Sequence, residues 1–154
     1  MIREKVMRRL WECKDCSIRS EYVGETGIKE YFDSKVNEEV RKACTQYIAW
    51  LRMQYDFPIR VTIYFKEKEY VATLKGEKFS AAFERKSDIS QEPYILVAVG
   101  DYCELVKEYG DKEAALEEIL YSITYEVSLY FQWIKGMHLN GHVSKKNERQ
   151  ADWD

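Results

Sequence analysis

The chain has 154 residues, of which 45% are hydrophobic and 33% charged, and a net charge of −3. That length points to one domain with room for a real core, and two prolines with seven glycines exclude a linker-rich or disordered chain. The mild negative balance excludes a general polyelectrolyte pull toward nucleic acid, so no nucleic-acid partner is expected.

The first nine residues, MIREKVMRR, are locally basic. They are followed by LWECKDCS rather than an apolar run, so no secretory signal is read and a cytoplasmic location is expected. Cys13 and Cys16 form CKDC, a single CxxC. A zinc knuckle needs a second pair, and none follows at ribbon spacing; the pair reads as reduced thiols, with a metal or redox role left open. Residues 1–32 read as an irregular lead-in punctuated by Gly24 and Gly27, with a short hairpin as the other reading. A single domain is expected over 33–154.

From Asp33 the pattern turns helical. Val36, Val40, Cys44, Tyr47, Ile48, Leu51 and Tyr55 recur at three and four, with Asp33 or Ser34 as the cap and Phe57-Pro58 as the stop. IRVTIYF (59–65) alternates and is β-branched, so it reads as a strand. YVATL (70–74) and EKFSAAFER (77–85) read as further strands around the Lys75-Gly76 turn. PYILVAV (93–99) is continuously apolar, which predicts a strand covered on both faces. A helix over 101–109 is broken by Gly110. Asp111 then caps a long helix from Lys112 to Lys135, with Leu116, Ile119, Leu120, Ile123, Val127, Tyr130, Phe131 and Ile134 as its core stripe and Gly136 as its stop. MHLNGHVSKKN reads as a loop, and NERQADW as a last helical turn or two. Cys44 and Cys103, in apolar-periodic contexts, read as buried thiols. Strands grouped apart from helices argue for an α+β fold, a small twisted sheet of three or four strands with helices packed on it.

Residues 119–134, ILYSITYEVSLYFQWI, carry one charge, Glu126. The run is too short and too polar to span a membrane. A carboxylate inside it costs several kcal/mol unless it is paired or coordinates something. Tyrosine or serine hydroxyls, a less buried helix, or a catalytic or ligand role each answer that cost. Its neighbours one turn away are Ser122, Ile123, Leu129 and Tyr130.

The element order and the stretch EILYSITYEVSLYFQW (118–133) resemble the zincins, zinc peptidases with an HExxH helix. The framework agrees at Ile119, Leu120, Ser122, Ile123, Glu126, Tyr130, Phe131, Gln132 and Trp133, while the two histidine positions hold Tyr125 and Leu129. The resemblance implies that Glu126 stands at the general-base position, in a cleft with Tyr125, Leu129, Tyr121 and Trp133. It implies Glu148 of ERQAD (148–152) as the third-ligand position. It also implies EKFSAAFER as the edge strand along which an extended substrate aligns.

Two histidines at i and i+4 of one helix face pinch a zinc ion, and the adjacent glutamate works on its water. A phenol with a pKa near ~10 is a poor zinc ligand at neutral pH, and leucine is none. No zinc or other cofactor is therefore expected, although intact relatives hold zinc. Desolvation would raise the carboxyl pKa of Glu126. His138 and His142 flank Asn140-Gly141 and read as loop histidines; a relocated site with Glu126 or Glu148 is the other reading. The expectation is an inactive pseudo-peptidase that binds a peptide or protein in the residual cleft. An active metallopeptidase with unusual ligands and a plain interaction domain are the alternatives.

Overall fold

A computed structural model describes residues 24–72, 75–85 and 92–140, the last four as backbone alone. It is a mixed α+β fold. The elements are β1 (Ile28–Phe32), α1 (Glu38–Gln54), β2 (Val61–Lys66), β3 (Val71–Ala72), β4 (Lys78–Phe79), β5 (Ala81–Glu84), β6 (Tyr94–Ala98), α2 (Tyr102–Tyr109) and α3 (Lys112–Asn140).

Four strands form one sheet in the order β1-β2-β6-β5. The first three run parallel, with Ile28 opposite Val61 and Ile63 opposite Ile95. β5 runs antiparallel to β6 and forms the edge, Phe83 opposite Ile95. Period-two alternation splits each strand between two faces. Val61, Ile63 and Phe65 are fully buried on the helix side, as are Ile95 and nearly so Val97. Thr62, Tyr64, Lys66 and Tyr94 point to the outer face. There the β3–β4 hairpin sets Val71 over Ala82, Ala98 and Leu96. The two-sided cover expected for β6 is thus built from helices on one face and a short hairpin on the other.

α1 packs on the β1 side of the sheet and α3 on the β5–β6 side, and one core joins them. α1 forms because Val40, Cys44, Tyr47, Ile48 and Leu51 share one buried stripe. Its cap is Asn37, whose side chain accepts from the Glu39 and Val40 amides at 2.8 and 3.4 Å. The expected caps do other work. Asp33 accepts from the Glu67 amide at 3.0 Å, tying the start of α1 to the end of β2.

Four further expectations give way. Ile28–Phe32 is a strand within the stretch read as irregular, so a β-α-β unit opens the sheet. Its lone buried residue at the start and half-exposed remainder hide the alternation. EKFSAAFER breaks at Ser80 into two short strands that serve different sheets. Cys103 is exposed, since α2 buries only Tyr102. Gly136 does not stop α3, which runs on to Asn140 and takes in part of the expected loop. A glycine ends a helix by adopting the left-handed position after it, as Gly110 does with φ +67°. Gly136 keeps helical backbone instead.

The contacts that hold α3 on the sheet are aromatic and specific. Phe131 lies 5.2 Å from Phe57 and 5.8 Å from Tyr55, ring centre to ring centre. Trp133 lies 6.0 Å from Phe83 of β5. The buried Tyr130 hydroxyl donates to the Ile59 carbonyl and accepts from the Ile59 amide, closing both backbone groups of one residue just before β2. Gly100, between β6 and α2, sits where a Cβ would meet the Lys68 backbone at 2.7 Å, and its amide donates to the Lys68 carbonyl at 2.8 Å.

Helices α1, α2 and α3 meet at Glu39. It accepts from the Tyr102 hydroxyl at 2.8 Å and from Lys112 at 3.1 Å. The Tyr102 hydroxyl first, then Lys112, holds the Glu39 carboxyl below the usual carboxylate range. Burial first, then Glu39, pushes the Tyr102 phenol up to about 12, and burial pushes the Cys44 thiol up to about 12.

Replacing Tyr130 by Phe leaves the Ile59 amide and carbonyl buried with the hydroxyl gone, and should lower stability by about 1–3 kcal/mol in urea titrations; an unchanged midpoint would refute the bridge. Tyr102 and Cys44 hold their protons more tightly when folded than the ordinary 10.0 and 9.0. Their contribution is therefore complete below about pH 9 and is lost as pH rises toward about 12. The urea midpoint should fall across that window, and less steeply in Tyr102→Phe.

Candidate functional site

The site is built on the middle of α3. At about 100° per residue, positions seven apart on a helix lie about 20° apart. Glu126 and Trp133 therefore share one flank, and the Trp133–Phe83 contact identifies it as the flank facing edge strand β5. Glu126 is buried there at 6% exposure and Trp133 at 4%. Tyr125 and Leu129, one turn apart, share an adjoining half-buried face with Tyr121 and Gln132. The helix is continuous through all of them. So α3 brings Glu126, Tyr125, Leu129, Tyr121 and Trp133 onto two neighbouring flanks.

Glu148, His142, Cys13 and Cys16 lie outside the described residues. His138 falls within α3 rather than in a loop, its backbone alone being described.

The opposite flank holds polar residues that sequence reasoning passed over. Thr124 is buried, and its hydroxyl pairs with the Tyr47 hydroxyl of α1 while donating to the Leu120 carbonyl at 2.9 Å. Ser128, one turn on, is fully buried and donates to the Tyr125 carbonyl. Spacing could have found them: both sit four residues apart beside the apolar stripe, where small side chains let a second helix approach. Gln132 Oε1 is buried and makes no hydrogen bond among the described residues. Arg85 ends the β5 segment half-buried, and burial draws its guanidinium below its ordinary range, with Glu84 opposing that shift.

Among the described residues no three His, Cys, Asp or Glu side chains gather as a metal-sized set. The two positions that the resemblance aligns with zinc histidines, Tyr125 and Leu129, carry a phenol and an isobutyl group. β5 has no strand partner on its outer side among the described residues, which leaves an antiparallel edge of Ala81–Glu84 beside the Glu126 flank. A separate groove of about 640 Å³ opens at the start of β1, between Thr26–Lys29 and Tyr55–Pro58, away from Glu126. No helix among the described residues is long and apolar enough to cross a membrane.

Thr124→Val keeps the shape of the α1–α3 seam and removes one hydroxyl of the buried pair. It should lower stability by about 1 kcal/mol in thermal melts. A variant as stable as the parent would show that the pair contributes nothing.

Compared with known proteins, the chain matches no protein-family model, no curated protein and no solved structure.

Proposed function

We propose that this chain is a zincin-like protein that has lost its metal site and uses the remaining cleft to bind an extended peptide or protein segment. The observation that carries the reading is the place of β5. It is the antiparallel edge of the sheet, and it lies beside the flank of α3 that holds Glu126. An edge strand offers unpaired backbone donors and acceptors to an added strand, and neighbouring side chains select the residues that strand can carry. The half-buried Tyr125, Leu129 and Tyr121 supply apolar surface next to it. Hydrolysis through zinc has no place in this reading, because Tyr125 and Leu129 stand where imidazoles would be needed.

The chemistry can be put back. In the double variant Tyr125→His and Leu129→His, two imidazoles stand one turn apart on a continuous helix, with Glu148 as the third position implied by the resemblance. Titration calorimetry should show stoichiometric zinc binding at least about tenfold tighter than in the parent chain. A double variant that keeps the parent's circular dichroism yet takes up no zinc would sink the zincin reading. A parent chain that purifies with stoichiometric zinc would sink the claim of a lost metal.

A further inference from the structure

The groove at the start of β1 is separate from the peptide cleft and has a chemistry of its own. Its apolar part comes from the buried Ile28 and Phe57. The Gly27 amide donates to the Phe57 carbonyl at 2.8 Å, which ties its two walls together. At about 640 Å³ it falls within the roughly 300–1,000 Å³ that small-molecule sites occupy.

Tyr55 is the anomaly in this groove. Its ring packs against Trp50 and Phe131, with ring centres 6.2 and 5.8 Å away. The residue lines the groove at 7% exposure, yet its hydroxyl makes no hydrogen bond among the described residues. Most polar atoms placed so deeply have a partner. The hydroxyl is not one of the polar atoms sealed off from all space, so what it reaches is the groove. Burial pushes the phenol pKa up, so the group keeps its proton and can both donate and accept.

Charge is the second observation. Lys29 and Asp56 both line the groove, and neither side chain makes an ion pair or a hydrogen bond among the described residues. Arg52, the basic residue in the last turn of α1, is committed elsewhere: its Nε donates to the Ile28 carbonyl at 3.0 Å and its guanidinium pairs with Glu30. The carbonyl end of α1 therefore adds partial negative charge beside Asp56. Across the groove the backbone adds a donor beside Lys29. The Gly27 carbonyl accepts from the Val61 amide and the Asp33 amide donates to the Phe65 carbonyl, so the odd residues of β1 face β2. The Ile28 amide then turns to the open edge of β1, where no strand stands among the described residues.

We infer that this groove binds a small zwitterion with an apolar body, a free amino acid or a dipeptide. The ammonium of the ligand sits at Asp56 and the carbonyl end of α1. Its carboxylate sits at Lys29 and the Ile28 amide. Its apolar part lies on Ile28 and Phe57, and the Tyr55 hydroxyl hydrogen-bonds its polar atoms. A simple anion would have to sit near Asp56 and the helix end, and a simple cation near Lys29. A ligand that carries both charges sets neither wall against its own sign. The inference does not rest on the zincin reading, since none of these residues belongs to the α3 cleft.

Amide NMR of the isotope-labelled full chain tests this, with L-phenylalanine and leucyl-leucine as probes. At least one should shift the amides of residues 26–29 and 55–57 saturably, with a Kd on the order of 1 mM. The tighter of the two tells an amino-acid site from a dipeptide site. Acetylating the probe removes its ammonium and amidating it removes its carboxylate; each should weaken binding at least about twofold. Asp56→Asn should weaken the intact probe by the same factor and leave the acetylated probe unaffected, and Lys29→Gln should do so for the amidated one. Tyr55→Phe keeps the ring packing and should weaken the intact probe about threefold or more. No saturable shift with either probe would overturn the inference. Blocked probes that bind as tightly as intact ones would also overturn it, because the groove would then be an apolar depression blind to charge. So would shifts confined to β5 and the middle of α3, which would place the probe in the peptide cleft instead.

Discussion

Tyr130 is the point on which the architecture hangs. Its hydroxyl closes the amide and the carbonyl of Ile59 together, and its ring sits fully buried among Phe57, Phe83, Phe131 and Trp133. Ile59 lies two residues before β2, an inner strand of the sheet. One side chain on α3 therefore ties the long helix to the segment that leads into β2. A buried backbone pair left open costs more than most single contacts contribute, so the helix cannot slide or rotate without losing it. The aromatic rings around it add directional packing that a purely aliphatic seam would lack.

That fixed crossing is what makes the middle of α3 a candidate site. Once Trp133 is held against Phe83, helical geometry carries Glu126 to the same flank two turns earlier. The seam with α1 is then closed by Thr124 and Ser128, whose small polar side chains satisfy themselves on Tyr47 and on the helix backbone. One side of the helix is thus committed to packing. The other meets an edge strand with an open side.

The outer face poses a matching problem. Among the described residues a hairpin of two two-residue strands covers two columns of the sheet, and Tyr31, Tyr64 and Tyr94 form a row beside it. Tyrosine tolerates the half-wet condition because its ring is apolar and its tip polar.

The sequence by itself determined the elements whose pattern lies in near neighbours. α1, α3, β2 and β6 are read from the spacing of Val40 to Leu51, of Ile119 to Ile134, of Val61 to Phe65 and of the run PYILVAV. The place of Glu126 as the lone charge of an apolar run was legible for the same reason, but its burial was left open until the fold decided it. What only the tertiary structure decided depends on residues distant in the chain. Ile28–Phe32 became a strand because β2 offered it a ladder. Asn37 rather than Asp33 became the cap because Asp33 was taken by the Glu67 amide. Gly136 stayed helical where Gly110 did not, because a glycine permits the left-handed turn without requiring it. Periodicity shows which face of an element is apolar. Only the assembled sheet, whose hydrogen bonds join segments dozens of residues apart, decides what that face meets.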